Sequence, residues 1–177
     1  FALSEVDRAW ANVPVQLVEL VGVAIGTRLT MRAFAKGPSK IFKVLAGSAW
    51  FCSILAVGFA AAPNIGLAMA AHALIAGGLV IVGPGVMASL SLAIPPRARS
   101  MGFAVASLWV IPGLVMLPII GWVGDQLSLR WGMLLMVPVF LIGGAVISSS
   151  RQTISTDIAD VWKATAARSE VVYERAQ

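Results

Sequence analysis

The sequence predicts an all-α membrane protein: five transmembrane helices in a bundle, followed by one amphipathic helix. Three observations predict it. Five continuous apolar stretches interrupt the 177 residues. The composition is 59% hydrophobic and only 12% charged, with a mean hydropathy of +0.89. A soluble domain has about 25% charged residues, so water could not hold this much apolar surface behind so few charges. The basic residues also stand at the ends of the stretches, where lipid head groups lie.

The stretches cover residues 13–30, 41–62, 65–93, 101–124 and 131–147. A bilayer core of roughly 30 Å needs about 20 apolar residues in a helix. The second, third and fourth meet that length. The fifth is shorter, and the first contains a charge, Glu19. The runs are continuous rather than alternating, which excludes a membrane β-barrel. The resulting organisation is a membrane domain over residues 1–150 and a polar segment over 151–177. The chain opens on Phe1 without a Met or a basic leader, so a longer parent protein is expected, with at least one further span upstream.

Loop charges set the orientation. Arg28, Arg32, Lys36 and Lys40 lie between the first two spans, and Arg97 and Arg99 between the third and fourth. Arg151, Lys163, Arg168 and Arg175 follow the last span. The turn at Ala62-Pro63-Asn64 is uncharged, and residues 125–130 hold one acid, Asp125, and one base, Arg130. The positive-inside rule then puts the basic loops and the C-terminus of this multi-pass protein in the cytoplasm. Binding to the lipid bilayer accounts for the net charge of +5, so no nucleic-acid partner is expected.

The spans contain more than inert anchors require. Gly22 and Gly26 form a small-xxx-small pair that lets two helix backbones approach closely. Gly83-Pro84-Gly85, Pro112-Gly113, Pro118, Pro138 and Gly143-Gly144 interrupt three successive spans. Proline removes a backbone donor and clashes with the preceding turn, so each such helix is expected to kink or open. Freed backbone groups then turn to protein or to a water-filled cavity. The alternative is that Gly and Pro are simply commoner in membrane helices.

Ionisable residues within the spans are few. Glu19, placed near the middle of its span with Gln16 one turn before it, reads as a substrate or proton site. It equally reads as a carboxyl near the interface or bonded to a neighbouring helix. His72 is a relay candidate or a packing residue. Trp109 is a cavity candidate or a packing residue, while Trp122 and Trp131 suit an interfacial belt. Cys52 is the sole cysteine, so no internal disulfide forms. No metal-ligand spacing and no Walker-type loop occurs, and Ser89 and Ser91 have no basic partner nearby. No cofactor and no enzyme activity are expected of this chain. Polar residues clustered at one depth, which an intramembrane enzyme would need, are not discernible.

Beyond Arg151, the residues Ile154, Ile158, Val161, Trp162 and Thr165 recur at three- and four-residue steps among charges. That is an amphipathic helix, with Thr153 or Ser155 as its cap and Asp157 in its first turn. It can lie on the inner leaflet, dock under the bundle, or connect to a further domain. Its near-balanced charges favour a cytoplasmic connector.

The run Gly22-x3-Gly26-Thr27-Arg28-Leu29-x2-Arg32 resembles the loop motif between the second and third helices of each half of a major facilitator superfamily transporter, without its usual aspartate. Pro95-Pro96-Arg97-x-Arg99-x2-Gly102, followed by Pro118-x2-Gly121-x2-Gly124-Asp125, resembles the last helix pair of such a half. The resemblance implies helices eight to twelve of a twelve-helix permease, with the preceding helices outside this chain. The tail from Asp157 to Arg175 resembles the connector of actinobacterial-type fusions, in which such a permease precedes an ABC ATPase of the branched-chain amino-acid class. Any ATP site would belong to that downstream domain.

The implied function is transport of a small solute by alternating access, as two bundles rock about a central site. Glu19, Gln16, His72 and Trp109 are the pathway candidates. Gly22, Gly26, Arg28, Arg32, Arg97, Arg99 and Asp125 are the gating candidates, or else topology signals and solvated groups. The alternative function is a non-transporting membrane module that anchors and regulates a cytoplasmic ATPase.

Overall fold

A computed structural model describes residues 5–108 and 110–176, with the backbone alone for residues 5, 7, 8, 11 and 167–176. Trp109 lies outside the described residues. Helix α1 runs Glu5–Ala35, α2 Pro38–Ala61 and α3 Ile65–Ala93. A single 3-10 turn, Pro96–Ala98, leads into α4, Arg99–Leu108. Helix α5 is Val110–Gln126, α6 Leu129–Leu134, α7 Met136–Ser150 and α8 Ile154–Ala176. There is no strand among the described residues.

Five segments are long and apolar enough to cross a membrane: Asn12–Ala35, Pro38–Ala61, Ile65–Ala93, Pro96–Gln126 and Leu129–Ser150. Each contains the corresponding sequence-predicted span, except that the second ends at Ala61, one residue short of the predicted 62. The first extends further than its apolar run, because the basic residues from Arg28 onward continue the helix as a solvated end.

Local chemistry sets the turns. Gly37 adopts φ 118°, which a side chain would resist, and Pro38 then opens α2 with its fixed φ. The Asn64 side chain caps α3 by accepting the Leu67 N–H at 2.9 Å. Sequence reasoning had given Asn64 only a turn. Thr153 does not cap α8 with its side chain. Its carbonyl accepts the N–H of Thr156 and of Asp157, while its hydroxyl turns back to the Ser150 carbonyl.

The expected proline breaks are only partly realised. Helix α3 stays helical through Pro84, and α5 through Pro112 and Pro118. Helix α3 lies between α1 and α2, and a helix so held tolerates one missing hydrogen bond. The fifth span tightens at Leu135, between α6 and α7, where the backbone keeps right-handed helical angles (φ −62°, ψ −21°) and the span continues. Pro138, three residues on, cannot donate to the Leu134 carbonyl and crowds it. The Leu135 N–H falls back to Gly132 in a tighter turn.

Packing depends on small residues. Each helical residue turns about 100°, so Val15, Gly22, Gly26 and Ala33 fall along one stripe of α1. That stripe lies on α3: a Cβ at Gly22 would stand 2.6 Å from the Gly77 carbonyl oxygen. On the other side of α3, Gly78 meets Ser48 and Cys52 of α2. Ser48 donates to the Gly78 carbonyl at 2.6 Å, and the Cys52 thiol lies 3.6 Å from the Ile75 carbonyl. Helix α7 packs on the far side of α2, where Ser53 donates to the Val137 carbonyl at 3.1 Å and Gly144 receives the Trp50 indole. The fourth span is peripheral. Helices α4 and α5 bury no described residue, and α5 meets the bundle chiefly at α6, where Gly132 abuts Ile120 and Gly124.

Two apolar clusters form. One joins Ala33, Ile41, Phe42 and Leu45 to Ile154 and Ile158, with Leu92, Ala93 and Ile147 against it. It gathers the ends of the spans that carry Lys36, Arg97 and Arg151, so these basic segments share one end of the bundle. The tail helix docks there through Ile154 and Ile158, a packing role beside which its further course as a connector stays open. The second cluster, Cys52, Ala56, Ile75 and Phe140, lies toward the Asn64 end. The outward faces are apolar: Leu20 is 67% exposed, Ile54 72%, Leu117 61% and Ile142 64%. Side chains of this kind on every span suit hydrocarbon rather than water.

Candidate functional site

Glu19 and His72 line one cavity of about 430 Å³. Each stands seven residues inside the start of its span, at Asn12 and at Ile65. At 1.5 Å per residue both lie about 10 Å from the Asn64 end. Met136, seven residues beyond Leu129, reaches the same depth on the fifth span. With Met133 it brackets the tightened turn at Leu135, so the cavity adjoins that turn.

The walls are apolar. Phe59 and Ala56 come from α2, Ile75 and Leu79 from α3, and Phe140 from α7. The His72 ring lies 5.8 Å from that of Phe59, tilted by 31°. Glu19 is half-buried. Among the described residues its carboxylate has neither an ion pair nor a hydrogen bond, and no Lys or Arg lines the cavity. The site can therefore offer a carboxylate and an imidazole to whatever enters, within a non-polar enclosure where charge interactions are strengthened.

Three comparisons, with protein-family models, with curated proteins and with solved structures, find no match for this chain. The site's own chemistry is what bears on function.

The sequence-predicted residues separate into groups. Glu19 and His72 come together at one cavity, with Glu19 midway along α1. Gln16 is exposed and does not line the cavity. It falls about 100° around α1 from Val15, off the packed stripe. Gly22 and Gly26 form the α1–α3 contact. Thr27 and Thr30 border a smaller hollow, about 190 Å³, beside Pro84 and Gly85. Gly83 faces open space, while Gly85 packs on Leu45.

Arg28, Arg32 and Arg99 are exposed at the basic end. Arg97 borders a groove shared with Val161, Ala164 and Thr165 of α8. Asp125 and Arg130 are both exposed and form no ion pair among the described residues. Trp122 and Trp131 flank the turn at residues 127–128, 64% and 58% exposed, as an interfacial pair would be. Phe59, Met133, Met136 and Phe140 were not singled out from the sequence. Met133 and Met136 stand on either side of the tightened turn at Leu135, and both line the cavity. Among the described residues no His, Cys, Asp or Glu group could hold a metal ion.

Proposed function

We propose that this chain is part of a solute transporter of major facilitator type that works by alternating access. Its five spans act as helices eight to twelve of the permease, in a bacterial plasma membrane with the tail in the cytoplasm. The observation that carries the reading is the meeting of Glu19 and His72 in one cavity between spans, beside the tightened turn at Leu135. Ionisable side chains within membrane spans face a cavity or a partner and mark substrate and ion pathways. Helices preceding α1 would complete the enclosure, and the bundle would rock about it. The chain itself performs no catalysis, and any ATP hydrolysis belongs to a domain after residue 177.

A second reading has one observation in its favour. The docking of α8 by Ile154 and Ile158 gives the bundle a fixed lever at its basic end, as a membrane anchor for a cytoplasmic ATPase would need. Uptake of a panel of radiolabelled solutes, measured in cells making the full-length protein, separates the two. The transport reading expects at least one solute whose uptake falls tenfold or more in Glu19→Gln at unchanged membrane abundance. Uptake indifferent to Glu19 and His72 for every solute would leave the anchor reading standing.

A further inference from the structure

We infer that the Glu19 cavity takes a lipophilic organic cation: one positive charge on an aromatic or branched apolar body. The inference rests on the transport reading and adds the substrate class. The charge balance comes first. Among the described residues the cavity is lined by one carboxylate and no Lys or Arg, and Glu19 has no ionic partner. A carboxylate at that depth is stabilised by a cation that enters. An anionic solute would meet repulsion.

The walls that this chain supplies favour an apolar solute over other classes. A sugar or polyol needs several convergent hydrogen-bonding side chains. Apart from Glu19 and His72, the side chains lining this cavity are aliphatic, aromatic or thioether. A zwitterionic amino acid needs a counter-charge for its carboxylate. None is supplied by a Lys or Arg here, and the His72 ring packs beside Phe59. What the walls do offer is two phenyl faces, Phe59 and Phe140, and two pliable thioethers, Met133 and Met136. Phenyl faces attract cations, and methionines adapt to irregular apolar shapes. The volume, about 430 Å³, falls in the range of sites for drug-sized molecules.

The test is equilibrium binding of radiolabelled tetraphenylphosphonium to the purified full-length protein in detergent. Saturable binding at one site per chain is expected, weakened tenfold or more by Glu19→Gln and kept within a few-fold by Glu19→Asp. Tetraphenylborate, of similar shape and opposite charge, should neither bind nor compete. Equal binding of the two ions to the parent protein would overturn the inference without recourse to any variant, as would equal binding of the phosphonium to the parent and to Glu19→Gln. The two readings fail separately. Solute uptake that needs Glu19, together with no phosphonium binding, removes only the substrate class. Glu19-dependent phosphonium binding without flux of any solute removes the transport reading and leaves a cation site.

Discussion

Replacing Gly22 by Ala tests the α1–α3 contact on which the position of Glu19 depends. The new Cβ would lie 2.6 Å from the Gly77 carbonyl oxygen and 2.8 Å from its Cα. Both are backbone atoms and cannot rotate aside. Ordinary contact begins near 3.4 Å, so the helices must part by 3.4 − 2.6, about 0.8 Å. A gap of roughly 0.5–1 Å forfeits a quarter to a half of the dispersion attraction between the atoms it separates. Overpacking of this kind costs about 1–3 kcal/mol. For a chain of this size, about 2–4 °C of melting temperature is lost per kcal/mol. The assay is thermal unfolding in detergent, with Gly58→Ala as the control. Gly58 is exposed in the interior of α2, and a Cβ there meets nothing within 4 Å. Alanine at that position should be neutral or stabilising by up to about 1 kcal/mol. Gly83 is a poorer control, because the residue before a proline has its own backbone restriction. Equal melting temperatures for Gly22→Ala and the parent, or an equal fall in Gly58→Ala, would refute the close-approach argument.

Ser53→Ala removes the hydroxyl that bonds Val137 across α2 and α7, and should cost about 0.5–1.5 kcal/mol in the same unfolding assay. Ile158→Asp puts a charge into the cluster that holds α8, and should make the tail several-fold more susceptible to trypsin at Lys163 while the spans stay protected. Cysteines placed singly at Lys36, Arg97 and Asn64 of the full-length protein should label with a membrane-impermeant maleimide from one side for the first two and from the opposite side for the third. Native Cys52, fully buried, gives no background in the folded state.

Much of the architecture was legible because lipid imposes a simple rule: a run of apolar residues of sufficient length is a helix. The turn at Gly37-Pro38 and the stripe through Gly22 and Gly26 follow from side-chain volume and backbone freedom, which are local properties. The effect of each proline was not local. Pro84 and Pro138 have the same missing donor, yet only the span containing Pro138 tightens into a turn. Pro84 sits in a helix packed between α1 and α2, whereas Pro138 follows a short helix whose other neighbour, α5, is itself peripheral. The site was half legible. Glu19 and His72 were visible as rare ionisable residues in spans, but their meeting depends on which helices touch. No single-chain pattern specifies that α1 packs on α3 rather than on α2 alone.

The two ends of the bundle are built differently, and the difference bears on how a cavity there could work. At the basic end Ile41 and Leu45 are fully buried and Ile158 nearly so, with three spans and the tail closing over them. Toward the other end the second cluster is smaller, the fifth span tightens at Leu135, and the cavity lies among Glu19, His72 and Met136. A membrane protein that only anchored a partner would gain nothing from a carboxylate that has no partner among the described residues of the looser end, because packed apolar residues there would be more stable. A protein that must expose one site alternately to two sides needs this asymmetry in each of its states, with one end sealed while the other is open. On the transport reading this is the state open at the Asn64 end, and the seal includes Ile154 and Ile158. Loosening that seal should therefore favour the opposite state. The Ile158→Asp change that frees the tail should also lower the accessibility of a cysteine at His72 to reagents from the Asn64 side. If that accessibility is unchanged while the tail is demonstrably undocked, α8 is a passive strut and the seal lies in α2 alone.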